Sequence, residues 1–198
     1  MLRLGLLTGV AILLAWSAIA PYDRLTWWLE VAPVLIAAPV LIAAARRFPL
    51  TPLACALIAL HAAVLIVGGH WTYARVPAGF WLQDLLGFER NPYDRIGHLM
   101  QGFVPAIVAR EILVRTSPLR HSRWLGFLVL CVCLAVSAIY EIVEWAAALV
   151  AGGAAIEFLG TQGDPWDTQW DMFLAGVGAG AALLFLARIH DRQISRVA

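Results

Sequence analysis

Residues 124–148 read WLGFLVLCVCLAVSAIYEIVEWAAA. A membrane-spanning helix needs about 20 predominantly apolar residues. This stretch supplies them with only two charges, Glu141 and Glu144, both toward its C-terminal end. Five further stretches repeat the pattern, at approximately residues 4–20, 29–45, 51–70, 96–114 and 171–187. The expected fold is all-α, a polytopic membrane helix bundle of about six transmembrane helices forming one domain over residues 1–198. The composition agrees. Of 198 residues, 62% are hydrophobic and 14% charged, against about 45–50% and 25% in soluble domains. A net charge of +1 gives no bulk field to attract nucleic acid, so no nucleic-acid partner is expected.

The first stretch follows Arg3 and ends in Ala18-Ile19-Ala20, a pattern also found at signal-peptide cleavage sites. Pro21 would directly follow the cut and disfavours it, so the segment is expected to stay as a helix. Arginine distribution sets the orientation. Arg3, Arg46, Arg47, Arg110, Arg115, Arg120, Arg123, Arg188, Arg192 and Arg196 fall toward one side, and Arg24, Arg75, Arg90 and Arg95 toward the other. Cytoplasmic loops carry the excess, which places both termini in the cytoplasm of a bacterial inner-membrane, multi-pass protein. The outer loops are then residues 21–28, 71–95 and 149–170. The second contains Phe80, Trp81, Leu85, Leu86 and Phe88, the composition of a short segment lying along the membrane. The third contains the turn-rich run Gly160-Thr161-Gln162-Gly163-Asp164-Pro165. Cys55, Cys131 and Cys133 lie in apolar runs and read as packing residues. Gly176 and Gly180 form a GxxxG pattern that suits close helix packing, within one bundle or between two copies in a homo-oligomer.

Ionisable groups at membrane depth are costly and usually have a partner or a task. Here they concentrate in three patches that this topology brings to the outer side: Asp94 with His98, Glu141 with Glu144, and Asp164, Asp167 and Asp171. Spacings of three, four and seven keep each set on one helix face. Carboxylates that converge repel one another unless protons or a cation intervene. Oxygen-rich sets suit Mg²⁺ or Mn²⁺, and one histidine also admits Zn²⁺. His98, Glu141, Asp167 and Asp171 are the expected metal ligands, and Glu144 and Asp94 the expected general base or second-layer groups, with Asp164 and His70 as possible additions. His61 reads as a packing or helix–helix hydrogen-bond residue, and Glu111 as the i, i+4 partner of Arg115.

The runs NPYDRIGH (91–98), SAIYEIVEW (137–145) and GTQGDPWDTQWDM (160–172) resemble the bacterial inner-membrane family typified by YjdF, over roughly residues 68–190. The order Asp-x-x-x-His, Glu-x-x-polar and Asp before a small-residue helix is more distantly similar to VanZ-like membrane proteins, which are linked to glycopeptide-antibiotic resistance. In that family the second motif usually ends in Gln, where this chain has Glu144. The third usually carries an upstream Arg and an Asn four residues after its Asp, where this chain has Ala175 and no Arg between Trp145 and Asp171. The site here is more anionic, which favours a cation. The expected function is metal-dependent hydrolysis or transfer on a phosphate-bearing lipid or cell-envelope precursor drawn from the bilayer. Proton or cation transport, and non-catalytic metal or lipid binding, are the alternatives.

Overall fold

The computed structural model describes residues 1–152, 156–159 and 161–197. Among these there are helices and no strand: α1 (Leu2–Ser17), α2 (Arg24–Ala44), α3 (Pro52–Trp71), α4 (Pro77–Leu86), α5 (Tyr93–Thr116), α6 (Trp124–Ala151), α7 (Ile156–Leu159) and α8 (Asp167–Val197), with 3-10 turns at Tyr73–Arg75 and Pro118–His121. Four helices are long and apolar enough to cross a membrane: α2, α3, Trp124–Val150 of α6 and Asp167–Arg196 of α8. The 16-residue α1 is apolar but shorter. The 24-residue α5 is long enough, but Asp94, Arg95, Arg110, Glu111 and Arg115 dilute its apolar character.

The largest boundary differences from the sequence reading fall in α2 and α8. α2 begins at Arg24 rather than residue 29, because the Asp23 side chain accepts the Thr26 N–H at 2.7 Å and caps the helix. The consequence is that Glu30 lies well inside the helix. α8 begins at Asp167 and runs to Val197, ten residues past the expected end. Its polar tail stays helical because it packs on α5 and carries His190, a residue with no exposed surface. The segment 77–86 is a helix with Phe80, Trp81, Leu85 and Leu86 exposed, as an interface-lying segment requires. Of the run 160–165, Gly160 lies outside the described residues. Gln162 and Gly163 take left-handed φ of 47° and 85° and make the expected turn.

Hydrogen bonds at the helix ends fix the directions. Arg3 donates to the Leu50 carbonyl before α3, and the α1 C-terminus meets the α3 C-terminus where Ser17 O contacts His70 Nδ1. α1 and α3 are therefore parallel. α5 runs against α3, with Thr51 bonded to Glu111 and the Tyr93 hydroxyl to Val64 O. α5 and α8 are parallel and form the most extensive helix pair.

That pair is held by a seam of small residues. Ala175, Ala179 and Ala182 are fully buried. A Cβ at Gly178 would run into the Leu99 carbonyl oxygen, and one at Gly102 into the Ala175 backbone. Within one chain, Gly176 and Gly180 do not form the closest helix contact, and the alternative of packing between two copies stays an expectation. A Cβ added at Gly180 would meet nothing within 4 Å, and one at Gly176 only the Leu134 side chain at 3.4 Å. Cys133, fully buried, directs its thiol at the Gly102 carbonyl (3.6 Å), and all three cysteines are free.

Candidate metal and substrate site

The seam positions the site. Asp94, His98 and Gly102 fall at i, i+4 and i+8 on α5, and Asp171, Ala175 and Gly178 at i, i+4 and i+7 on α8. The small residues bring the backbones together one turn below, so the acids of the next turn meet. Both helices start here, and their positive dipole ends face the anionic cluster. α6 adds Glu141 and Glu144 from the facing direction.

His98 is the centre. Its Nε2 lies 3.5 Å from Asp94 Oδ1 and 3.7 Å from Asp171 Oδ2, and its Nδ1 lies 3.8 Å from Glu141 Oε1 and 3.0 Å from Gln101 Oε1. The carboxylate distances exceed the roughly 2.7–2.9 Å of charge-assisted hydrogen bonds. They approach the spacing of about 3–3.5 Å between neighbouring donors bound around one ion at about 2.1 Å. Two sets can each converge on an ion, Asp94–His98–Asp171 and His98–Glu141–Glu144, with donor atoms within 4.8 Å of one another. Asp94 Oδ2, Glu141 Oε1 and Asp171 Oδ1 are buried with no hydrogen-bond partner among the described residues. A buried, unpaired carboxylate oxygen is costly, and here three meet at one place.

The opposite end of the bundle supplies the contrast. Glu111, fully buried, accepts from Thr51 N (2.9 Å), Thr51 Oγ1 (2.7 Å), Arg115 (2.9 Å) and His190 Nε2 (3.0 Å). Arg110 donates to His190 Nδ1 at 3.2 Å and to Asp191 at 2.7 Å. These partners assign His190 as the neutral tautomer protonated on Nε2. Arg115 is the partner expected for Glu111, and Thr51 and His190 are additions that only the fold brings near. Every group there is satisfied, so this cluster ties α3, α5 and α8 together.

The remaining expected site residues divide. Asp167 forms an ion pair with Arg90 at 2.5 Å, and Asp164 with Arg95 at 3.0 Å. These arginines pair with the acids at the rim, and among the described residues Asp167 stands beside the two converging sets and is in neither. His70 is not brought to the cluster. Its Nδ1 lies 2.9 Å from Ser17 O and its ring stacks against Trp16, because the α3 C-terminus turns toward α1. The first and third motifs lock directly: Asn91 N donates to Gln162 Oε1 (3.1 Å), and Gln162 Nε2 donates to Asn91 O (3.0 Å).

Sequence reasoning missed Glu30, Tyr140 and Gln101. The Tyr140 hydroxyl donates to Glu30 Oε2 at 3.2 Å. Both line a cavity of about 140 Å³ that extends from Asp94, His98 and Glu144 down to His61, whose Nε2 is also unpaired among the described residues. A lone acid in an apolar helix was the available signal for Glu30.

Comparison with known proteins agrees with this architecture. Residues 2–192 match the family model described as "Predicted membrane protein (DUF2238)". The chain belongs to this family. It is 56% identical over 187 residues to the inner membrane protein YjdF of Escherichia coli (strain K12), covering 94% of this chain and 90% of that protein. The family relation thus extends well beyond residues 68–190 and takes in α1 and α2, which carry Glu30. No solved structure matches the chain. It is an integral protein of the inner membrane.

Proposed function

We propose that this protein is a metal-dependent hydrolase or transferase that acts on a phosphate-bearing lipid at the outer face of the inner membrane. The observation that carries the reading is the set of orphaned carboxylate oxygens around His98, set against the fully satisfied cluster at the other end. The topology that goes with it has α1, α2, α3, α5, α6 and α8 all crossing, with both termini cytoplasmic. Arg46, Arg47, Arg120, Arg123, Arg188, Arg192 and Arg196 cluster at the end opposite the site, as that orientation requires.

In this reading Asp94, His98 and Asp171 would hold one divalent ion, with Glu141 joining them. Such an ion supplies Lewis-acid polarisation of a phosphoryl oxygen and a more acidic water. Glu144, on the cavity side, takes the proton from the attacking water. Gln101 orients His98 through its Nδ1 contact, and the Arg90–Asp167 pair fixes the start of α8. The test is phosphate release from phospholipids and polyprenyl phosphates by purified, metal-loaded protein. Turnover is expected in the wild type and its loss in Glu141→Gln and Asp171→Asn. Absence of turnover on any phosphate ester by folded, metal-loaded protein overturns the enzymatic reading.

One observation favours proton or cation transport as a second reading: the cavity carries ionisable groups, Glu30 and His61, below the outer cluster. Against it, Ala106, Ile107, Val129, Cys133 and Ala179 form a buried apolar layer between His61 and the Glu111 cluster. A pH-dependent cation flux in proteoliposomes, abolished by Glu144→Gln, would favour this second reading.

A further inference from the structure

The cavity beside the site has one thin wall. α2 packs on α3 and α7, while α6 packs on α5, α8 and α7. Among the described residues, α2 and α6 share no packed seam, and the Tyr140–Glu30 hydrogen bond spans the space between them. α7 packs on both helices. Val136 on α6 lines the cavity and is 40% exposed. Pro33, opposite it on α2, lines the cavity and is partly exposed as well. Both helices qualify as membrane spans, so the medium outside this rim is lipid.

The lining changes character with depth. At the outer end it carries Glu144, Asp94 and His98. One to two turns further in come Gln101, Glu30 and Tyr140, and near the helix midpoints the walls are Pro33, Leu65, Pro105 and Val136 together with His61. From Glu144 to Val136 the helix rises about 12 Å at 1.5 Å per residue. The polar outer part of this lining suits the headgroup of an outer-leaflet lipid whose phosphate the site's ion would hold. The volume of about 140 Å³ equals roughly five water volumes at about 30 Å³ each. That is room for a phosphate headgroup and not for an acyl chain, which would remain in the slot and the bilayer beyond.

We infer that the space between α2 and α6 is a lateral portal through which an anionic outer-leaflet lipid presents its headgroup to the site, with the Tyr140–Glu30 hydrogen bond as its latch. This rests on the lipid-substrate reading above and names the route and the leaflet. A water-soluble phosphate ester would instead need an opening on the outer face.

The test uses the full chain reconstituted in phosphatidylethanolamine–phosphatidylglycerol vesicles containing a trace of phosphatidylglycerol with a diazirine on its headgroup, with and without added Mg²⁺, Mn²⁺ or Zn²⁺. Adducts are mapped by peptide mass spectrometry after illumination. With metal, insertion is expected at Gln101 and Tyr140 inside the cavity, as well as at Trp145 and Leu149 on the exposed outer part of α6. Val136→Trp should abolish the Gln101 and Tyr140 adducts and spare those at Trp145 and Leu149, and Val136→Phe serves if the larger residue impairs folding. Adducts confined to Trp145 and Leu149 in the wild type, or interior adducts indifferent to Val136→Trp, overturn the portal. The readout needs no turnover, so its failure is separate from failure of catalysis.

Discussion

Gly178→Val is expected to leave little folded protein in the membrane, and Gly102→Val the same. At both positions the added Cβ meets backbone of the facing helix, which cannot swing aside as a side chain can. α5 and α8 would have to separate along the seam that brings Asp171 to His98. Core overpacking costs about 1–3 kcal/mol where side chains can adjust. Here the backbone is the obstacle, so the loss should reach roughly 4 kcal/mol or more. Gly180→Ala is the control. Its Cβ enters open space, and replacing helical glycine gains at most about 1 kcal/mol. Thermal unfolding of detergent-purified variants, followed by monomer yield on size exclusion, distinguishes the two. A folded Gly178→Val with wild-type stability would mean that the α5–α8 seam is looser than these contacts imply.

Glu111→Ala is expected to be the most damaging change at the opposite end. It leaves the Thr51 N–H and hydroxyl, Arg115 and the His190 Nε2–H without their shared acceptor. Removing one member of a buried ionic network costs about 3–5 kcal/mol, because the remaining groups stay buried and unpaired. Glu141→Gln should cost far less, since the Oε1 it replaces has no hydrogen-bond partner to lose among the described residues and one anionic charge leaves a crowded cluster. The ordering is a direct consequence of satisfied against unsatisfied burial. If Glu141→Gln proved as destabilising as Glu111→Ala in the same thermal-unfolding assay, the outer cluster would be a structural network like the inner one.

The helical membrane architecture was legible because runs such as 124–148 have no other stable environment for their length and polarity. The outer cluster was legible because Asp94, His98, Glu141 and Asp171 interrupt or begin such runs at spacings that share a face. What was not legible depended on which face each helix turns inward. The GxxxG pattern drew attention to Gly176 and Gly180. The buried seam is set instead by Asp171, and counting four, seven, eight and eleven residues onward from it reaches Ala175, Gly178, Ala179 and Ala182. Glu30 escaped because the helix was started at residue 29, which made the acid a terminal residue at the water boundary. The Asp23 cap moves the start to Arg24 and puts Glu30 inside. Asp167 and His70 carried the right chemistry, and only the fold shows that Arg90 and Ser17 engage them first.

The most direct test of the central claim is the metal content of full-length protein purified in detergent, measured by elemental analysis with folding checked in parallel. Wild type should carry a stoichiometric divalent ion, Mg²⁺, Mn²⁺ or Zn²⁺. His98→Ala and Asp171→Asn should lose it while remaining folded, and His70→Gln should keep it. Folded wild type that holds no metal, even after reconstitution with each of the three ions, would contradict the account.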